Sequence, residues 1–307
     1  MACLPPAKKN NILSCICIAS DHGKIPEKME QVQYRAKNWM PNAIRIPNLQ
    51  TLRQTAREIE GPWRRVLEEK YGKILGLLEV EVQPHALAML AQFYDVHLRC
   101  FTFKDFQLIL TLEEYERVLR MPIKEPTVYF HKGYHPSWGV VAELLRKPEV
   151  EICRVKKARN GVEGLPSEYL ENVLNYHRET KNWQVVVDTL ALLIYGILLF
   201  PQLEDYVDLA TVDVFVVVKE KNENPVPTML AGTYYTLNCC LNKHGTNLRC
   251  CIHALYLWMT THCCSGKCKT GCPIKDYKWG CIKTMSGEEW IHHFIELYEG
   301  TIRWYPK

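Results

Sequence analysis

The sequence lacks the features that mark secreted and membrane-spanning proteins. No Asn-x-Ser/Thr sequence occurs in it, although asparagine is common, so it offers no acceptor for N-linked glycosylation. The longest apolar run, Val185–Phe200, has 16 residues and contains Asp188. A helix needs roughly 20 apolar residues to cross a bilayer. We therefore expect a nuclear or cytoplasmic protein that is not secreted, has no membrane partner and keeps its fourteen cysteines as reduced thiols.

Linkers, internal repeats and low-complexity segments are also absent. No Gly/Ser-rich or Pro-rich stretch divides the 307 residues, and 47% of them are hydrophobic, which is enough for a substantial core. We predict one large domain at residues 49–307, preceded by a divergent and loosely ordered leader at residues 1–48.

Catalytic motifs of high specificity are missing as well. The chain has no G-x-S-x-G and no H-E-x-x-H, and Gly266-Lys267 lacks the flanking residues of a phosphate-binding loop. A cluster of four acidic residues could bind Mg²⁺ only together with acidic residues from other helices or strands. We interpret the cluster instead as the start of a helix and a solvated helix face. Its members are Glu204, Asp205, Asp208 and Asp213. We expect no enzymatic activity, with a hydrolase or nuclease as the least favoured alternative.

Apolar residues recur three and four positions apart through most of the chain, which predicts a mainly α-helical fold. We predict helices at residues 50–59, 63–78, from 84, from 111, after 137, at 165–174, 183–200, from 204 to 218, 227–241, 246–262 and 288–297. The segment Trp183–Phe200 is apolar nearly all round, so we expect it to be the central buried helix. The predicted architecture is a multi-helix bundle with a small β-hairpin element.

The run Leu98–Pro122 predicts that hairpin and a helix directly after it. Apolar and polar residues alternate on both sides of Lys104-Asp105, as two strands joined by a tight turn require. Thr111 and Glu114 then have the spacing of a capping box, in which each side chain accepts a hydrogen bond from the other residue's backbone. The run therefore encodes scaffold rather than chemistry.

Five further phrases follow the same order as in one known family. They are HPSWGVVAELL, RNGVEGLPSEYLE, DTLALLIYGILLFPQLEDYVDLATVDVF, ENPVPTMLAGTYYTL and TIRWYP. With the run above, they resemble the plant mobile domain family, in the branch of retrotransposon-like and transposon-derived plant proteins. The resemblance covers roughly residues 50–307 and implies a non-enzymatic interaction domain with a protein partner, linked to silencing or genome maintenance. Members of the branch continue past this chain's last segment, so we expect a C-terminal truncation.

A basic segment near the C-terminus is the main candidate for chemistry. Lys243–Lys283 contains seven Lys/Arg residues and one acid, a net charge of +6 in a chain of net charge +4. Aromatic residues are interleaved with these charges, as a surface for unpaired bases requires. The sequence therefore predicts possible nucleic-acid contacts, with a solvated basic loop as the alternative reading. The predicted contact residues are Lys267, Lys269, Lys275, Lys278 and Trp279.

Nine of the fourteen cysteines lie between Cys239 and Cys281. Zinc is the specific interpretation, because neighbouring thiolates separated by three residues can surround a tetrahedral ion. The candidate ligands are Cys264, Cys268, Cys272 and Cys281, with His262 as a substitute. No paired C-x2-C occurs, so we favour free cysteines, some buried as small apolar residues, and expect no cofactor.

Overall fold

The computed structural model describes residues 44–121, 129, 135–242, 247–264 and 283–304. Among these residues the chain forms thirteen α-helices and two three-stranded antiparallel sheets, which confirms the mainly α prediction. The helices are α1 (Gln50–Glu58), α2 (Gly61–Tyr71), α3 (Leu75–Leu78), α4 (Pro84–Leu90), α5 (Leu112–Leu119), α6 (Trp138–Leu145), α7 (Glu149–Val155), α8 (Ser167–Glu179), α9 (Trp183–Ile194), α10 (Leu209–Lys221), α11 (Val226–Asn242), α12 (Ile252–Cys263) and α13 (Gly287–Glu296). The strands are β1 (Tyr94–Asp95), β2 (Cys100–Thr102), β3 (Gln107–Leu108), β4 (Lys157–Arg159), β5 (Val162–Pro166) and β6 (Tyr206–Asp208).

Helix α9 is the centre of the core, as its all-round apolar sequence predicts. Every residue from Val185 to Ile194 is buried, and α1, α2, α6 and α8 pack around the helix. A π-helical turn, Tyr195–Leu199, continues α9 towards its end. Gly196 lies in this turn against Val207 of β6, where a Cβ atom would come within 2.5 Å of a valine methyl group. The glycine therefore lets the second sheet approach the central helix.

The predicted hairpin and capped helix are both present. Strands β2 and β3 pair antiparallel, and the Phe103 N–H donates to the Phe106 carbonyl across the turn at 3.0 Å. Thr111 and Glu114 form the capping box at the start of α5. The sequence analysis missed β1, which has only two residues and pairs with β2. A strand this short carries no readable alternation.

The second sheet was not predicted, although its turn was. Asn160 and Gly161 both have positive φ angles, 52° and 78°, which suits the two-residue connection between β4 and β5. Strand β5 then pairs with β6, about 40 residues further along the chain. Residues Leu165 and Pro166, predicted to begin a helix, instead end β5, and α8 begins at Ser167. Long-range pairing competes successfully here with a local helix signal.

Three other predicted boundaries are wrong, and one is the start of the helix predicted from residue 246, which begins at Ile252. The helix predicted over residues 63–78 is two helices, because Gly72 has a φ of +78° and its α-carbon faces Met121, leaving no room for a Cβ atom. The helix predicted to start near Glu204 starts at Leu209 instead. Asp208 provides its N-terminal cap by accepting a hydrogen bond from the Thr211 N–H at 3.1 Å.

Most of the predicted leader, residues 1–48, lies outside the described part of the chain. Residues 44–48 are described, and Ile44 is buried in the core. Within the described residues, no helix combines the length and the apolar character that crossing a bilayer requires.

Candidate functional site

Most residues predicted to carry function lie in a part of the chain that the structure does not describe. The described chain stops at Cys264, at the end of α12, and resumes at Lys283, before α13. The predicted residues outside it are Lys267, Lys269, Lys275, Lys278, Trp279, Cys268, Cys272 and Cys281. What the structure does define is the framework on either side of the segment.

Cys264 is the one candidate zinc-binding cysteine with a described position, and it is buried. Its Sγ atom lies 4.0 Å from Nε2 of His293. The same Nε2 atom lies 3.0 Å from the carbonyl oxygen of Cys263. Burial raises the pKa of the Cys264 thiol to about 12, against a smaller opposing effect of Arg303. The thiol is therefore protonated at neutral pH, which does not suit a nucleophile.

Three further buried cysteines follow the same pattern. Burial also raises the pKa of Cys251 to about 12 and places those of Cys250 and Cys263 well above the usual value. Among the described residues, no three His, Cys, Asp or Glu side chains are grouped so that they could hold a metal ion. The buried cysteines among them thus act as small apolar residues of the core, whereas Cys153 is exposed and Cys239 half-buried.

His262, the substitute zinc ligand, is paired with a carboxylate instead. Its Nε2 atom lies 2.5 Å from Oε1 of Glu114, and its Nδ1 atom lies 2.7 Å from the Arg303 carbonyl oxygen. A carbonyl and a carboxylate can only accept hydrogen bonds, so both ring nitrogens must donate. The imidazole is therefore a cation, paired with Glu114 where the ring is only 4% exposed.

Glu114 is held in place from two directions. Its Oε2 atom accepts hydrogen bonds from the backbone and hydroxyl of Thr111, both at 2.9 Å, and from the Trp258 indole at 3.0 Å. Burial raises the pKa of this carboxyl, but the His262 and Thr111 contacts together outweigh it, and the net pKa is lowered. The capping box of α5 therefore also fixes the C-terminal half of α12, a helix that lies within the basic segment.

The acidic group that resembled a metal site is divided among separate structural contacts. Glu204 forms an ion pair with Arg45, and Asp208 caps α10. Asp213 accepts a hydrogen bond from the Tyr129 hydroxyl at 2.5 Å. Asp205 precedes β6 with a φ of 52°, so it does not share a helix face with Asp208. The helix-start interpretation is correct only for Asp208, because the strand β6 separates the first two acids from α10.

Asp188 is the buried charge in the central helix, and the structure provides its partners. Its carboxylate accepts a hydrogen bond from the Tyr71 hydroxyl at 2.6 Å and lies 2.8 Å from Nζ of Lys219 and 3.7 Å from Nζ of Lys70. Burial, followed by the charge of Asp188, raises the pKa of Tyr71. The sequence indicates that Asp188 has partners, because it is a single acidic residue in an apolar helix and a buried charge must be paired. The partners themselves come from α2 and α10 and could not be read from the sequence.

A cavity of about 780 Å³ lies at the other end of α12, and the sequence analysis missed it. His253, the second residue of α12, forms part of its wall and is 1% exposed. Neither ring nitrogen has a hydrogen-bond partner among the described residues. Burial, with a smaller contribution from the charge of Arg53, lowers the pKa of His253 to about 4, so the ring is neutral at pH 7. In the sequence it is only one histidine in an apolar helix.

Comparison with known proteins gives a family but no activity. No curated protein and no solved structure is significantly similar to the chain. The resemblance to the plant mobile domain family therefore stays a prediction. A family model described as a domain of unknown function (DUF7745) matches residues 52–307, which is most of the chain. The protein belongs to this family of domains of unknown function.

Proposed function

We propose that the protein is a non-enzymatic interaction domain of a plant mobile-element-derived protein, linked to silencing or genome maintenance in the nucleus or cytoplasm. The observation that supports it is the use of chemically capable side chains for structure. Glu114 and His262 are paired in the interior, and Asp188 is paired with Lys219. Catalytic groups need instead to be placed beside a space where a substrate can bind.

The surface offers apolar groups that a protein partner could cover. Tyr235 on α11 is 71% exposed, and Gly232, one turn before it, has open space around its α-carbon. Exposed tyrosines are common in interfaces, because they bury a large area at a low cost in conformational entropy. The outer face of α11 is therefore our choice for the first interface variant.

Affinity purification from plant nuclei, with the full chain as bait, tests the proposal. We expect a partner that is retained after nuclease treatment and is lost, or reduced at least fivefold, with a Tyr235→Ala bait. A Tyr298→Ala bait is the matched control, because Tyr298 is also exposed, at 53%, but lies after α13. Retention of the partner by the Tyr235→Ala bait would contradict the α11 interface. Loss of every partner after nuclease treatment would favour nucleic-acid binding instead.

Nucleic-acid binding through the basic segment is the second candidate, supported by its net charge of +6. Contact with three or four phosphates predicts a log–log salt slope of roughly −2 to −3 on single strands. Replacing Lys267, Lys269, Lys275 and Lys278 with Gln should flatten that slope. The matched control replaces four exposed lysines elsewhere, namely Lys104, Lys157, Lys181 and Lys221. Equal binding by the two quadruple variants would rule out the segment as the contact surface.

Zinc content is a separate question about the same segment. We expect less than one equivalent of zinc per chain in the purified protein, measured by elemental analysis. A full equivalent that is lost in both Cys268→Ser and Cys272→Ser variants, but kept in Cys153→Ser, would show a structural zinc site instead. Cys153 is an exposed cysteine on α7 and serves as the control.

A further inference from the structure

The cavity beside His253 combines apolar walls with basic side chains. Ile197, Leu198 and Leu248 supply apolar surface, and Arg45, Arg159 and Arg249 supply the charge. Its volume of about 780 Å³ lies within the range of small-molecule sites, about 300 to 1,000 Å³. The cavity is formed where the second sheet, the π-helical turn after α9 and the start of α12 meet.

The charges of the cavity favour an anion. Glu204 is neutralised by its ion pair with Arg45, and its carbonyl oxygen accepts a hydrogen bond from Nη1 of Arg159 at 3.2 Å. Arg249 is exposed and makes no hydrogen bond or ion pair through its side chain among the described residues. Asp205 is the remaining acid in the lining, set against Arg159 and Arg249. The lining therefore carries a net positive charge.

The start of α12 adds two further features to the same wall. The N-terminus of this 12-residue helix carries a partial positive charge, and Ile252 and His253 of its first turn line the cavity. His253 is neutral and without a partner, so its ring offers one donor and one acceptor. Leaving such buried groups without a partner lowers the stability of the fold. Both ring nitrogens lie below the cavity surface, so a ligand in the cavity would supply the missing partners once the imidazole turns towards it.

We propose that this cavity is a binding site for a small aromatic organic anion that carries a carboxylate or phosphate group. The anionic group lies between Arg249 and the start of α12. The ring packs against Leu198 and Leu248, and a polar atom of the ligand hydrogen-bonds to His253. This site differs from the α11 surface and from the four lysines predicted to contact nucleic acid, although Arg249 itself belongs to the basic segment.

Fluorescence titration of the full chain with 8-anilinonaphthalene-1-sulfonate tests the proposal, since this probe is an aromatic anion whose emission rises in apolar sites. We expect one saturable site. Arg249→Gln should weaken binding at least fivefold and His253→Leu at least threefold, whereas Arg65→Gln should stay within twofold of the wild type. Arg65 is an exposed arginine on α2 that does not line the cavity. Equal affinities of the Arg249→Gln and Arg65→Gln variants would overturn the proposal.

A cavity-filling variant gives a second, independent test. Asn247 lines the cavity and is only half-buried, so Asn247→Trp should block the site without disturbing the core. Unchanged probe binding by a folded Asn247→Trp variant would place the probe elsewhere and refute the site. Competition with benzoate and with phenyl phosphate identifies the preferred anionic group by the larger displacement. Failure of both competitors at a hundredfold excess over the probe would count against this ligand class.

Discussion

Helix α12 carries two buried histidines, nine residues apart, in opposite environments. His262 has an acceptor at each ring nitrogen, from Glu114 and from the Arg303 backbone. His253 has no partner at either nitrogen among the described residues. The first histidine is a cation that joins α12 to α5 and to the C-terminal segment, whereas the second is a neutral ring in the wall of a cavity.

The difference shows what each end of the helix does. A satisfied buried ion pair rigidifies the structure around it, and its position explains how the C-terminal half of α12 is anchored within the basic segment. An unsatisfied buried imidazole lowers stability, and buried polar groups are otherwise almost always paired. The structure therefore has a stabilising end and an end with an unsatisfied polar ring beside a cavity. Five predictions test this contrast.

The largest effect is expected for Glu114→Ala. This change leaves the His262 cation buried without its counter-ion and removes the acceptor of the Trp258 indole. We expect a loss of about 3–5 kcal/mol in the free energy of unfolding, measured by urea denaturation. Glu113→Ala is the control, because Glu113 lies in the same helical turn but is exposed, and we expect it to cost under about 1 kcal/mol. Similar losses in both variants would mean that the pair contributes little.

The loss of stability in Glu114→Ala can be compared with the loss caused by truncating an apolar side chain in α9. Leu193 is fully buried in the central helix, so Leu193→Ala should lower the free energy of unfolding by about 2–5 kcal/mol. The control is Ile295→Ala, at a residue that is 43% exposed. A loss under about 0.5 kcal/mol for Leu193→Ala would show that α9 is not the centre of the core.

The pH dependence of stability should identify His253. Its pKa is about 4 in the folded chain, below the ordinary 6.5, so the unfolded chain binds the proton first as the pH falls. Stability is therefore lost between pH 6.5 and pH 4, by about 3 kcal/mol from this group alone. Denaturation of the wild type and of His253→Leu at several pH values isolates it, because other groups titrate equally in both. Parallel curves would show that the ring is not buried and neutral.

Protonation of Glu114 should also lower the stability of the fold, but at a lower pH than protonation of His253. Its pKa is lowered in the folded chain, so its contribution is complete above its unfolded pKa and is lost as the pH falls through the lowered value. The His253→Leu curve should keep this acid-dependent loss. A curve that is flat down to the most acidic pH would contradict an ionised Glu114.

The smallest effect is expected for His253→Leu at pH 7. Replacing an unsatisfied polar ring with an apolar side chain of similar size should leave stability unchanged or raise it by up to about 1 kcal/mol. His262→Leu, the same substitution at the other end of α12, should instead lower stability by several kcal/mol, because Glu114 is left buried and unpaired. Equal losses from both substitutions, measured by thermal and urea unfolding, would remove the contrast between the two histidines.

Local sequence signals predicted the elements whose cause is local. The capping box of Thr111 and Glu114, the turn at Asn160-Gly161 and the apolar helix α9 are all present, because each depends on residues within a few positions. The strand β6 was missed because its partner β5 lies about 40 residues earlier. The break at Gly72 was missed for a similar reason, since Met121 occupies the space beside it.

The sequence by itself determined the helical class, the central position of α9 and the start of α5, since periodicity and capping chemistry are written in adjacent residues. Only the tertiary structure decided which charges meet. Glu114 reaches His262 across 148 positions, and Asp188 reaches Tyr71 across 117. It alone decided that His253 faces a cavity while His262 faces an acid. Burial and partner geometry control the ionisation of a side chain, and both depend on residues that are distant in the sequence and close in space.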